Sequence, residues 1–319
     1  MNISILGCGR WGSFHAWYAN FIGHNVMLWG RPDSTHYREL AIMRKNEYLS
    51  LSDDICLTRD LKKAIDFADI CIISISSQQL RSFCKQLSAV DSLKTKPIIL
   101  CMKGLEMGTG KRLTTVIAET LGENQQTAVW VGPGHVQDFL HGMPNCMVMA
   151  SQDMDLTRHL VDTFSSRLIR FYYGKDLLGI EIGAAAKNVM GLAAGMLDGL
   201  HYSSLKGALM ARGTRELSRL IEAMGGNAMT VYGLSHLGDY EATLFSQHSN
   251  NRRFGEELIQ GKPFDKLAEG VYTAEALMDL SIQYNVELPI SRTVYEIVQH
   301  HKDPKEQLEQ LFLRSTKEE

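Results

Sequence analysis

Along the first 170 residues, short apolar runs alternate with stretches whose apolar positions recur every three to four residues, the pattern of strands joined by crossover helices. The runs that predict strands are Asn2–Leu6, Asn25–Trp29, 69–74, 98–102, 128–131 and 146–150. Beyond about residue 173 the strand pattern stops. Helical periodicity then covers 179–200, 203–224, 274–284 and 290–301, with a loop-rich stretch at 233–271. A chain of 319 residues suits two domains. The expected division is an α/β domain at 1–172, doubly wound around a mainly parallel sheet, and an all-α domain at 173–319. No flexible linker or repeat interrupts them, so the two are expected to pack directly with a cleft between. The charged end Lys317-Glu318-Glu319 reads as a solvated tail.

Composition narrows the chemistry only a little. Hydrophobic residues make up 45% and charged residues 22%, as in an ordinary globular protein. A formal net charge of −3 gives no global attraction to nucleic acid or to an anionic membrane, so any anion must be held by a local pocket. The expected partners are small molecules. Six cysteines are scattered without a C-x-x-C pair, and are expected to be reduced and mostly buried. No histidine pair has metal-ligand spacing, and no metal site is expected. The apolar start is too short and lacks the basic residues of a secretion signal. The stretch 183–200 is interrupted by Lys187, Asn188 and Asp198, so no membrane insertion is expected and the location is taken as cytoplasmic.

The first predicted strand runs into Gly7-Cys8-Gly9-Arg10-Trp11-Gly12, and a helical pattern follows. In a dinucleotide-binding Rossmann turn the first glycine permits the tight bend and the second lets the backbone approach a pyrophosphate. The third allows close helix-to-strand packing, and the helix N-terminus offers N–H groups to the anion. The blander reading is a glycine-rich turn with no ligand; its position between a strand and a helix favours the cofactor. After the second strand an NAD-selective protein usually places an acid on the ribose. Here Trp29-Gly30-Arg31 offers a cation, and Asp33 lies beyond Pro32. Arg31 therefore points to NADP over NAD, with dual use open and a simple surface arginine as the alternative.

In Glu181-Ile182-Gly183-Ala184-Ala185-Ala186-Lys187-Asn188-Val189 a single lysine interrupts a helix of small and apolar residues. A lysine snorkelling at a domain edge is one account. The other is a desolvated amine of lowered pKa that donates a proton to the alkoxide formed when hydride reaches a ketone.

At this point a wider set of segments matches. Besides the glycine turn these are Leu28-Trp29-Gly30, Met102-Lys103-Gly104-Leu105-Glu106, Gly132-Pro133, and 181–199 ending Ala193-Ala194-Gly195-Met196-Leu197-Asp198-Gly199. Lys206-Gly207-Ala208-Leu209-Met210-Ala211-Arg212-Gly213, Gly233-Leu234-Ser235-His236-Leu237-Gly238-Asp239, Asn251-Arg252-Arg253-Phe254-Gly255 and Glu269-Gly270 complete the set. Almost end to end, the chain resembles the NAD(P)-dependent glycerol-3-phosphate dehydrogenases of the soluble bacterial type. The resemblance implies a helical domain of the 6-phosphogluconate dehydrogenase-like type and reduction of dihydroxyacetone phosphate to glycerol 3-phosphate. It implies that Lys187 is the general acid/base, that Asp239 pairs with the lysine or the substrate hydroxyl, and that Lys103 stands over the reacting carbonyl and the nicotinamide. Asn188 and Thr243 would hydrogen-bond substrate, Ser249 and Asn251 would hold its phosphate, and Glu269 would touch the cofactor near the ribose. Gly7, Gly9, Arg10, Trp11, Gly12, Arg31, Gly132, Gly134 and Val136 fall at cofactor positions.

Three departures stand out. Ser249-Asn250-Asn251-Arg252-Arg253 replaces S-R-N-R-R, so the arginine expected to touch both substrate phosphate and cofactor is Asn250 here. A neutral amide there forms weaker bonds to phosphate than a guanidinium. Gly132-Pro133-Gly134-His135-Val136 replaces G-P-[ST]-[FH]-A and lacks the hydroxyl, and Arg10 takes a position usually small or neutral. Arg10, or a swinging Arg252, is expected to supply the lost charge. Two other functions stay open on the residues: a related dehydrogenase for another small hydroxy or keto compound, and a non-enzymatic NADP sensor, which Lys103, Lys187 and Asp239 disfavour. The Gly-, Ala- and Met-rich stretch 183–230 leaves room for a homodimer.

Overall fold

A computed structural model describes residues 1–315; the expected solvated tail, Lys317-Glu318-Glu319, lies outside them. The chain runs β1 (Asn2–Leu6), α1 (Arg10–Phe21), β2 (Asn25–Trp29), α2 (Thr35–Met43), β3 (Cys56–Thr58), α3 (Leu61–Phe67) and β4 (Ile70–Ile73). It continues through α4 (Leu80–Leu87), β5 (Ile98–Leu100), α5 (Leu113–Leu121), β6 (Thr127–Val131), α6 (Val136–Leu140), β7 (Asn145–Ser151), α7 (Met154–Phe164) and β8 (Ile169–Gly174). Helices α8 (Leu177–Gly199), α9 (Lys206–Ala223), α10 (Asn250–Ile259), α11 (Glu269–Gln283), α12 (Pro289–His300) and α13 (Pro304–Phe312) follow. Two compact units result: Met1–Met102 with Leu113–Leu177, and Lys103–Arg112 with Leu178–Glu319.

In the first unit the strands order as β3-β2-β1-β4-β5-β6-β7-β8. Neighbours from β3 through β6 are parallel, β7 runs antiparallel to β6, and β8 is parallel to β7. A doubly wound, mainly parallel sheet is therefore present. Parallel strands must bury both faces, which is why Ile3, Ile5, Leu6, Ile72 and Ile73 are without exposed surface. Strand order reverses between β1 and β4, and at that switch point the turn after β1 opens a ligand crevice in such folds. A Cβ on Gly7 would stand 2.2 Å from the Ser74 carbonyl oxygen after β4, so the two strand ends approach there as only glycine allows. Two strands escape the sequence pattern. β3 has only three residues, and in β8 buried Ile169 and Phe171 alternate with exposed Arg170 and Tyr172, which makes a weak apolar run.

In the second unit α8 is the axis. By length and composition it is apolar enough to cross a membrane, yet 94% of its apolar window is buried within the protein, as befits a core helix. Its glycines explain its composition: a Cβ on Gly195 would lie 1.8 Å from the Arg252 carbonyl oxygen, and one on Gly255 2.2 Å from that of Leu192. The backbones of α8 and α10 therefore touch. Helix α10 lies inside the stretch expected to be loop, and α13 was also not foreseen. The arm 103–112 joins this unit through Leu105, which has no exposed surface, and through Arg112 Nη1, 2.7 Å from Glu181 Oε2 on α8. Among the cysteines, Cys8, Cys71 and Cys84 are buried as expected, Cys101 and Cys146 are half-buried, and Cys56 is exposed at the start of the edge strand β3.

Candidate active site

Lys187 lies midway along α8, with a side chain only 8% exposed. Its Nζ stands 2.7 Å from Asp239 Oδ2 and donates to Thr243 Oγ1 at 2.8 Å. Lys103 Nζ, from the arm, donates to the same Asp239 oxygen at 2.7 Å. Two ammonium groups thus share one carboxylate that is itself 1% exposed. Asp239 ends a tight turn at Leu237–Asp239, and Thr243 sits in the wide π-type turn Glu241–Phe245. Burial presses the Lys187 pKa down, Asp239 opposes that, and Lys103 adds to it; the result is about 8 against an ordinary 10.5. An amine so placed exchanges its proton near neutral pH.

A chain of amides fixes the neighbouring residues. Asn188 Nδ2 donates to the Lys103 carbonyl at 2.7 Å, Asn251 Nδ2 donates to Asn188 Oδ1 at 3.0 Å, and Gly270 N donates to Asn251 Oδ1 at 2.9 Å. This one file ties the arm, α8, α10 and the start of α11 together. The structure therefore gathers Lys103, Lys187, Asn188, Asp239, Thr243 and Asn251 in one network. Ser249 is the N-cap of α10, its hydroxyl accepting from Arg252 N, and Asn250 Nδ2 donates to the Leu267 carbonyl at 3.2 Å. Both stand at the start of α10, and Glu269 opens α11 beside Gly270.

Several participants were not anticipated. Buried His236 and Tyr240 bracket Asp239: His236 Nδ1 is 2.8 Å from the Gly183 carbonyl, and its Nε2 is 2.7 Å from Tyr240 Oη. Burial holds the His236 pKa down at about 4, so the ring is neutral. Their spacing of four residues around an acid was the only signal in the sequence. Behind Thr243 lies a second charged cluster. Asp198 Oδ2 meets Lys206 Nζ and Arg252 Nε, each at 2.7 Å, and Lys206 also donates to the Leu244 carbonyl at 3.0 Å. Arg252 further pairs with Glu256 at 3.2 Å. The Arg252 guanidinium, considered for a swing toward the phosphate, pairs here with two carboxylates. An apolar cavity of about 570 Å³ lined by Leu197, Leu209, Ile290, Val294 and Leu308 holds none of these residues.

In the first unit, Gly7 to Gly12 form the turn into α1. A Cβ on Gly12 would lie 1.9 Å from the Gly7 carbonyl oxygen, whereas one on Gly9 would meet nothing within 4 Å. The space over Gly9 is open, and α1 begins with neither a side-chain cap nor an acidic residue in its first turn. These features fit a pyrophosphate. Arg10 Nη2 donates to Gln137 Oε1 at 2.8 Å, and burial draws its pKa down. The Trp11 ring packs edge-on against Phe14 at 5.4 Å. Gly132 and Gly134 both take positive φ in the bend between β6 and α6. Val136, expected at a cofactor position, opens α6; its side chain has no exposed surface and packs in the core. Arg31, after β2, is exposed and stands 3.7 Å from Asp33.

The N-terminal model of NAD-dependent glycerol-3-phosphate dehydrogenase matches residues 2–157, and the C-terminal model matches residues 176–309. A glycerol-3-phosphate dehydrogenase [NAD(P)+] of Fusobacterium nucleatum is 39% identical, over 99% of this chain and 98% of that one. Its counterpart in Prosthecochloris aestuarii is 36% identical over the whole of both chains. The crystal structure of glycerol-3-phosphate dehydrogenase from Coxiella burnetii superposes with a TM-score of 0.89 at 28% identity, covering 98% of this chain and 99% of that one. With both halves matched and the relatives covered from end to end, the chain belongs to the NAD-dependent glycerol-3-phosphate dehydrogenase family.

Proposed function

We propose that this protein reduces dihydroxyacetone phosphate to sn-glycerol 3-phosphate with NADPH or NADH, reversibly, supplying glycerophospholipid synthesis. The observation that carries the reading is the buried Lys187 amine with a pKa near 8, sharing Asp239 with Lys103. Hydride is what the nicotinamide supplies when bound. As the carbonyl carbon accepts hydride, its oxygen gains negative charge. Lys187 Nζ gives that oxygen a proton, and in the reverse direction the neutral amine takes it back. The Lys103 ammonium adds positive field, which favours the oxyanion and draws in a dianionic substrate. Asp239 keeps the two amines from repelling one another and orients them.

Asn188 and Thr243 supply hydrogen bonds to the substrate oxygens. The start of α10, with Ser249, Asn250 and Asn251, is suited to the phosphate because helix N-termini favour anions. Since Arg252 is committed to Asp198, Arg10 is the better candidate for the charge absent at Asn250. Gly7, Gly9, Gly12, Trp11, Arg31, Gly132 and Gly134 would hold the cofactor, with Glu269 near its ribose. A cytoplasmic location accords with six free cysteines.

The test is direct. Purified protein should oxidise NADPH when dihydroxyacetone phosphate is added, and folded Lys187→Ala should lose that signal. A Lys187→Ala variant with normal turnover would refute the assignment.

A further inference from the structure

Arg59 stands one residue beyond β3, and β3 pairs with β2 so that Trp29 lies beside Thr58. The chains leaving the two strands stay bound: Gly30 N donates to the Thr58 carbonyl at 3.2 Å, and Trp29 Nε1 donates to the Arg59 carbonyl at 3.1 Å. Arg31 and Arg59 therefore emerge from adjacent strands at the same end of the sheet. Tyr37, in the first turn of α2, lies against both exits. A Cβ on Gly30 would be 2.5 Å from its ring Cδ2, and the Arg59 guanidinium stands 5.1 Å from its ring centre.

Neither guanidinium is used up within the fold. Among the described residues Arg31 has only the exposed Asp33 at 3.7 Å, and exposed pairs of this kind are worth little. Arg59 has no ion pair among the described residues and keeps its donors while stacking on Tyr37. Ser34 caps α2, whose first turn carries no acidic residue, and the end of β2 lacks the carboxylate that selects NAD. We propose that Arg59 is a specificity-determining residue, which together with Arg31 holds the 2′-phosphate of NADP. This rests on the cofactor reading above and adds to it a residue from β3. Arginine suits the task because its planar fork matches phosphate oxygens in pairs and stacks on an aromatic face at the same time.

Calorimetric titration with 2′,5′-ADP and 5′-AMP tests the proposal without turnover. Arg59→Ala should weaken 2′,5′-ADP by roughly tenfold, the scale of a charge-assisted hydrogen bond, and leave 5′-AMP within about twofold. Arg59→Lys should recover only part of the loss, since an ammonium lacks the fork. In turnover, the KM for NADPH should rise by the same factor with that for NADH unchanged. Equal weakening of both nucleotides, or of neither, would overturn the role of Arg59 and reduce it to support for Tyr37. Competition by inorganic phosphate as strong as by 2′,5′-ADP would reduce the pair to a general anion patch and overturn it too. Wild-type protein that bound neither nucleotide would refute the cofactor reading itself, a different result from binding without discrimination.

Discussion

The helical unit buries two charged clusters that differ in how completely their charges are matched. Around Asp198, two cations meet two carboxylates, the Ser203 hydroxyl donates to Asp198, and the Leu244 carbonyl accepts from Lys206. Burial pushes the Asp198 pKa up, but Lys206, Ser203 and Arg252 outweigh it, and the group stays a firm carboxylate. Around Asp239, two lysines compete for a single oxygen, and one of them has its pKa drawn down to about 8. The first cluster is saturated and fixes chain segments. The second retains a proton that moves near neutral pH, and only such an incompletely matched site can do acid–base chemistry.

Lys187→Met should produce the largest effect: kcat falls by about a thousandfold, within the range of general acid catalysis, while circular dichroism stays native. Retained turnover would erase the distinction between the clusters. Asp198→Ala should act on stability instead, because it strands buried Lys206 without its carboxylate and leaves Arg252 only Glu256. Urea unfolding should register a loss of about 3–5 kcal/mol, with turnover kept in the molecules that stay folded.

The pH dependence sharpens the contrast. With the Lys187 pKa near 8, ketone reduction should fall about tenfold per pH unit above that value, and alcohol oxidation should fall below it. Its folded pKa lies below the ordinary 10.5, so the unfolded chain binds the extra proton between about 8 and 10.5, and stability should rise with pH across that window. Lys187→Met should flatten that rise in thermal melts recorded at several pH values. The smallest change belongs to Glu256→Ala at the rim of the saturated cluster. Loss of a partly exposed partner should cost under about 1 kcal/mol in urea unfolding and leave the rate profile unchanged.

Much of this was legible before any coordinates. Gly7 and Gly12 mark a tight strand-to-helix turn because a side chain at either would collide with backbone, while the space over Gly9 stays open. The small residues of α8 likewise announce close backbone contact, and Lys187 is conspicuous among them. Short β3 and alternating β8 were missed, since edge strands need few apolar residues and carry little signal. Helix α10 was hidden because it is held by contact with Gly195 and by the pairing of Arg252 with Asp198, and its own sequence, Asn250 to Ile259, is largely polar. The arm 103–112 was read as part of the strand-bearing half, yet Leu105 is buried in the helical core.

Most of the elements, the glycine turn after β1 and the lone lysine of α8 follow from local pattern, because periodicity and glycine spacing are imposed by the backbone itself. Which oxygen Lys187 and Lys103 share, that Arg252 is bound to Asp198, and that Arg59 exits beside Arg31 depend on residues from 28 to 136 positions apart. Contacts at such separation leave no period in a single sequence. They exist only when burial removes the competing water and leaves each charge to the partners that folding provides.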